Sequence, residues 1–320
     1  MRIFIISVIK RLIFWNLIIQ FLDYRKVKNT NKLQLTKRKT IVESVLDESF
    51  IDRLSLEDKE HWIPRIALVQ ACSDNQLIEI KDDAGIFNEA YYFVMHNGLL
   101  IDPLSYYGLP MLYLLSKNKS IHEPQEELAF QEVLNSIPDS SVMIELGAYW
   151  SFYSMWFNQK VRNAKNYMIE PENIFSGKRN FDINNLQGDF TQAYISDVSN
   201  YDKTISHTPT ICIDDFIQEK NIDFVDILHS DIQGYEFLML QGAKDLIANF
   251  KVGYIFISTH SNELHNQCSS FLEHYGYTLV CSSDLDESYS WDGLIVYKNP
   301  HYVGVEKVEI AKRNSIEVGL

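Results

Sequence analysis

The sequence lacks a CxxC pair. Its four cysteines, Cys72, Cys212, Cys268 and Cys281, stand 140, 56 and 13 residues apart. Neither a zinc knuckle nor a disulfide scaffold is expected, and the usage suits a reduced, cytoplasmic setting. Basic residues are scarce beyond residue 40. The first 40 residues hold ten of the 29 Lys/Arg and one of the 43 Asp/Glu (Asp23), a balance of +9. That leaves 19 basic and 42 acidic residues in the other 280, a balance of −23. An acidic body argues against nucleic acid as a partner, because that binding needs a basic face. No uninterrupted apolar run is present either. Residues 3–22 contain 15 apolar residues, but Lys10 and Arg11 sit near their middle.

Each such charge costs roughly 3 kcal/mol at the centre of a span, and each large apolar residue returns about 0.5. Spanning is therefore marginal. The expectation is an arm lying in an anionic membrane interface on the cytoplasmic face, with Phe4, Phe14, Trp15 and Phe21 as anchors and Arg25, Lys26 and Lys28 as a basic flank. Burial against the body or in a homo-oligomer is the alternative. No small-residue cleavage site follows the run, so a cleaved signal peptide is not expected.

The 320 residues are 46% hydrophobic and 22% charged. This excludes a mainly disordered chain and suggests about two domains. Residues 1–40 read as arm and linker, 41–120 as a small α+β accessory region, 121–300 as the main domain and 301–320 as a tail. In the accessory region, 41–60 reads as a short helix. Residues 76–80 and 90–101 read as strands, with a hairpin turn at Asn97-Gly98. From 121, helix and strand alternate. A helix opens at Pro124, with Glu123, Glu126 and Glu127 read as first-turn acids. Strands follow at 141–147, 164–170, 189–196, 224–232 and 252–260, separated by helices, and a final hairpin pairs 277–282 with 291–298. This predicts a Rossmann-like α/β fold, a mostly parallel sheet ending in an antiparallel hairpin.

In open α/β sheets the ligand binds beyond the carboxyl ends of the strands. Glu145 and Gly147, Glu170, Asp231, His260 and Trp291-Asp292 fall there. Gly147 is the only glycine of its turn, so the GxGxxG phosphate cradle of nicotinamide and flavin enzymes is missing. Glu170 suits the two hydroxyls of an adenosine ribose.

The runs MIELGAYWSFYSMWF, YMIEPENIFSGKRNFDINN and ICIDDF…VDILHSDIQGYEFLMLQGA resemble the FkbM-type S-adenosylmethionine-dependent methyltransferases. Glu145, Gly147, Ala148, Glu170, Pro171, Asn184, Asp214, Asp215, Asp231, Gly234, Glu236, Gly242 and Ala243 fit that family's pattern. Tyr149, Ser151, His229 and Gln233 depart from it. The resemblance implies a class I methyltransferase sheet and S-adenosylmethionine as cofactor. It also implies methyl transfer to a hydroxyl of a sugar, glycolipid or natural product. The cofactor-binding positions would be Glu145, Gly147, Ala148, Tyr149, Ser151, Glu170 and Asn184. The candidate bases for the acceptor hydroxyl are His260 and Asp231, with His229 third.

A divalent metal on Asp231 and His260 is an alternative that no tight ligand motif supports, so none is expected. Asp214 and Asp215 read as capping acids, Glu236 as a helix-dipole acid and Gly242 as a packing glycine. His96, His122, His207, His265, His274 and His301 read as surface or core residues. The aromatics Tyr149, Trp150, Tyr153 and Trp156 read mostly as core, with Tyr149 or Trp150 able to face a sulfonium or sugar. Two other functions compete: a membrane-attached binding protein without catalysis, and a Rossmann oxidoreductase.

Overall fold

The computed structural model describes residues 33–202, 204 and 206–313. The membrane expectation rests on the arm and lies outside the described residues. Among the described residues no helix is long and apolar enough to cross a membrane.

Residues 33–46 are helical, so the part read as linker from 33 to 40 opens that helix. Arg38 ties it down: its Nε donates to Ala90 O at 2.9 Å and its guanidinium lies 4.3 Å over the Tyr92 ring. Helix α1 (Leu56–Ala71) follows, capped by the Ser55 hydroxyl, which accepts from Asp58 N. Residues 76–80 form no strand; Ser73–Gln76 is a 3-10 turn. The Asn97-Gly98 hairpin does form, pairing Phe93–Val94 with Leu100–Ile101, with Gly98 at φ +83°. Helix α2 (Gly108–Lys117) completes this region.

Helix α3 (Pro124–Leu134) starts at Pro124, as the sequence predicts. Then come β1 (Val142–Leu146), α4 (Phe152–Lys160), β2 (Lys165–Ile169), α5 (Ile174–Ile183) and β3 (Asp189–Thr191). Next are α6 (Ile213–Lys220), β4 (Val225–Ser230), α7 (Glu236–Gly242), α8 (Lys244–Ala248) and β5 (Val252–Thr259). The last are α9 (Asn262–His274), β6 (Thr278–Ser283) and β7 (Gly293–Lys298).

The sheet order is β6-β7-β5-β4-β1-β2-β3. All pairs are parallel except the two made by β7. This is the class I methyltransferase arrangement. Its inner strands read as unbroken apolar runs because helices cover both faces; every residue of β5 is buried. One face packs Phe130, Trp156 and Phe256, the other Ile144, Leu228 and Ile255.

Two expected elements are divided. The strand read at 189–196 stops at Thr191, and Tyr194–Ile195 pairs instead with Thr210–Ile211. The helix read at 234–248 breaks at Ala243, because Asp214 accepts from the amides of Asp245 and Leu246, both at 2.9 Å, and caps a second helix. Gly242 fits tightly there: a Cβ would lie 2.3 Å from Ser196 O.

Candidate active site

Strand order reverses between β1 and β4, and a ligand crevice is expected at that switch point. A cleft of about 720 Å³ opens there, lined by Glu145, Gly147, Ala148, Tyr149, Glu170, His229 and Asp231 among the sequence-predicted residues. Further walls come from Tyr106 and Tyr107 of the accessory region, Glu123 just before α3, Tyr153 on α4 and Ser258 on β5. Five carboxylates line the cleft (Glu123, Glu145, Glu170, Glu172, Asp231), and no lysine or arginine is among the described lining residues.

Gly147 has φ +71°, and a Cβ on it would sit 1.8 Å from Asp231 O. The neighbouring backbone thus requires glycine here, and Gly147 also lines the cleft. Glu170 closes β2. Its Oε2 accepts from Tyr149 N at 3.2 Å, and its Oε1 from Glu172 N at 2.8 Å and Asn173 N at 2.9 Å. A carboxylate offers about four acceptor positions, so one stays open toward the cleft. Glu145 is buried, accepts from Ser154 N at 3.2 Å, and stands opposite His229 in the β1–β4 register. Burial pushes its carboxyl up to about 7, against the pull of His229.

His229 is buried and reaches back to α3, its Nε2 2.7 Å from Glu126 Oε1; Ser258 Oγ donates to Glu126 Oε2 at 2.9 Å. Burial alone would lower the His229 pKa, but the Glu126 carboxylate raises it. Its Nδ1 is buried in the cleft wall without a partner.

Glu126 and its neighbours on α3 are not solvated first-turn acids. Glu123, Glu126 and Glu127 are all buried. Glu127 sits 2.7 Å from His122 Nδ1 and 2.8 Å from His96 Nε2, so both histidines, read as carboxylate-free, face one. Burial raises the Glu127 pKa, but His122 and His96 outweigh it and hold the carboxyl well below its ordinary value. Glu123 accepts from Tyr153 OH at 3.0 Å and lies 3.4 Å from His122 Nε2.

His260 is not among the lining residues; it stands behind Asp231. Its Nδ1 lies 2.7 Å from Glu236 Oε1. Its Nε2 lies 3.3 Å from Asp231 Oδ1 and 3.4 Å from Asp292 Oδ1. Burial works against the imidazolium, but Asp231 and Glu236 overcome it and raise the pKa to about 10. Burial and Asp231 push Asp292 up to about 6. Glu236 thus does more than face a helix dipole: its Oε1 also accepts from Gly234 N at 2.9 Å. Among the described residues no group of three or more His, Cys, Asp or Glu is arranged to hold a metal ion.

Two expected cofactor residues do not line the cleft. Asn184 clips the accessory hairpin to α5, accepting from Leu100 N at 2.8 Å and donating to Leu100 O at 2.7 Å. Ser151, at φ +60°, is buried against Gly177, where a Cβ would meet its Oγ at 2.2 Å. Among the aromatics, Trp150 stacks on Tyr106 with ring centroids 4.2 Å apart, while Trp156 is core. The pairs that build this site lie far apart in sequence (His229 and Glu126 are separated by 103 residues). The carboxylate-rich start of α3 was the one available signal.

No curated protein matches the chain. Among solved structures, it resembles the precorrin-6y C5,15-methyltransferase of Geobacter metallireducens GS-15, with 11% identity and a TM-score of 0.37, over 54% of this chain and 87% of that one. It also resembles TrmK of M. capricolum, solved with S-adenosyl-homocysteine, with 15% identity and a TM-score of 0.35, over 54% and 69%. The fold itself rests on the strand order and register above. The model of the methyltransferase FkbM domain matches residues 158–279, so Glu145 to Ser151 and α3 lie ahead of the matched stretch. Residues 158–279 thus match the methyltransferase FkbM domain, and they sit in a sheet with the class I methyltransferase strand order.

Proposed function

We propose that this protein transfers the methyl group of S-adenosylmethionine to a hydroxyl of a sugar, glycolipid or related surface-glycan intermediate. The observation that carries the cofactor reading is the charge of the cleft: among the described residues, five lining carboxylates and no lysine or arginine. Such a cleft favours a sulfonium and ammonium ligand and opposes the pyrophosphate of a dinucleotide. The donor set fits: Glu170 keeps an open acceptor position for ribose hydroxyls, and the buried His229 Nδ1 lacks a partner. Glu145, Ala148 and Tyr149 complete that end of the cleft. When bound, the cofactor supplies an electrophilic methyl group.

The chain must hold the acceptor in line and remove its proton. Asp231 is the group for that task, since it lines the cleft and ends β4. His260, an imidazolium at neutral pH, orients Asp231 from behind and does not act as the base. The Glu126 carboxylate raises the His229 pKa, and His229 stands beside Glu145 in the sheet register. No step requires a metal. The basic, apolar arm brings the enzyme to an anionic membrane surface where lipid-linked acceptors are made. Labelled S-adenosylmethionine offered with fractionated cell glycans and lipids tests the reading: label in a glycan or glycolipid fraction supports it. Label only in protein or nucleic acid would replace the acceptor class.

A further inference from the structure

Resting on the S-adenosylmethionine reading, we infer that the cleft also discriminates by charge. It holds the sulfonium ligand over the neutral thioether that remains after transfer, and Glu123 sets this preference.

Transfer breaks the methyl–sulfur bond, and its electron pair stays on sulfur. A methyl–oxygen bond forms to the acceptor, whose proton passes to Asp231. The positive charge at sulfur disappears in that step. A cleft walled by Glu123, Glu145, Glu170, Glu172 and Asp231 therefore attracts the ligand before transfer more strongly than after it. Tyr106, Tyr107 and Tyr149 line the same cleft, and aromatic rings add attraction for a cation.

Glu123 is singled out by where it comes from and what surrounds it. It precedes α3, outside the matched domain, yet lines the cleft. Tyr153 OH and His122 Nε2 hold its Oε2 from α4 and from its own segment. Glu126 on α3, Asp231 after β4 and Asp292 before β7 bring negative charge toward it. Tyr106 and the Arg65 guanidinium of α1 belong to the same cluster. Burial and these acids push the Glu123 carboxyl up to about 7, so its charge changes across neutral pH. Glu145 is pushed up to about 7 as well, but it is backed by His229 and the Ser154 amide.

The test is titration calorimetry on the full chain with S-adenosylmethionine and S-adenosylhomocysteine as probes at pH 6, 7 and 8. The affinity ratio of the two should rise about fivefold between pH 6 and 8, as a carboxyl near 7 ionises. Glu123→Gln should lose most of that rise, and Glu123→Asp should keep it; melting curves confirm that both fold. Whatever rise survives in Glu123→Gln reports Glu145. Equal affinity for both probes at every pH, or a full rise in Glu123→Gln, overturns the inference while leaving cofactor binding intact. Failure of both probes to bind overturns the cofactor reading itself.

Discussion

Replacing Gly147 with alanine strikes the point where β1 and β4 diverge. The added Cβ would stand 1.8 Å from Asp231 O and 2.8 Å from Asp231 C. Backbone cannot step aside as a flexible side chain can, so the strand ends must part. Overpacking of this kind costs about 1–3 kcal/mol. The residue also keeps φ +71°, which charges an L side chain roughly 1–2 kcal/mol. Together the loss is about 2–5 kcal/mol, or a drop in Tm on the order of 3–7 °C. Because Gly147 lines the cleft between Glu145 and Ala148, cofactor affinity should fall as well. Denaturant unfolding and calorimetry on Gly147→Ala measure both. A stability change within about 0.5 kcal/mol, the range of neutral surface substitutions, would refute the close approach.

Asp231→Asn should still bind cofactor but turn over about 10²–10⁴ times more slowly on the labelled acceptor fraction, the usual loss for a missing base; near-normal turnover moves the proton elsewhere. His260 has a folded pKa raised to about 10 from 6.5. Its stabilisation is therefore full below pH 6.5 and is lost as pH rises toward 10. Melting temperatures should fall across that window, and His260→Gln should flatten the fall; a parallel curve refutes the clamp. Asn184→Ala should cost about 1–3 kcal/mol of stability, from two lost bonds to Leu100, with cofactor affinity unchanged. Reduced affinity would return Asn184 to the site.

The sheet was legible because its strands are short apolar runs bounded by acids, glycines and prolines. VMIEL, VDILHS and VGYIFIST each fall where the sequence places a strand. The accessory region was less legible because its elements answer to distant partners. QLIEI alternates like a strand but finds no ladder, and Gln131 on α3 bonds its backbone instead, accepting from Glu79 N at 2.7 Å. The site divides the same way. Glu145, Glu170 and Asp231 were visible because strand ends place them. Glu123, Glu126 and Glu127 have the sequence of a solvated helix start, and only the fold reveals the histidines that bury them. His260 follows β5 as the sequence places it, but its surroundings were not legible, because the carboxylates around it sit 24, 29 and 32 residues away at Glu236, Asp231 and Asp292.

Calorimetry of S-adenosylmethionine against the full chain and against Glu170→Ala tests the cleft most directly. Losing a charged hydrogen-bond partner predicts an affinity weaker by about 1.5–3 kcal/mol, roughly ten- to hundredfold, in the variant. No binding to the unaltered chain, or equal binding to both, would contradict the assignment of this cleft to the cofactor.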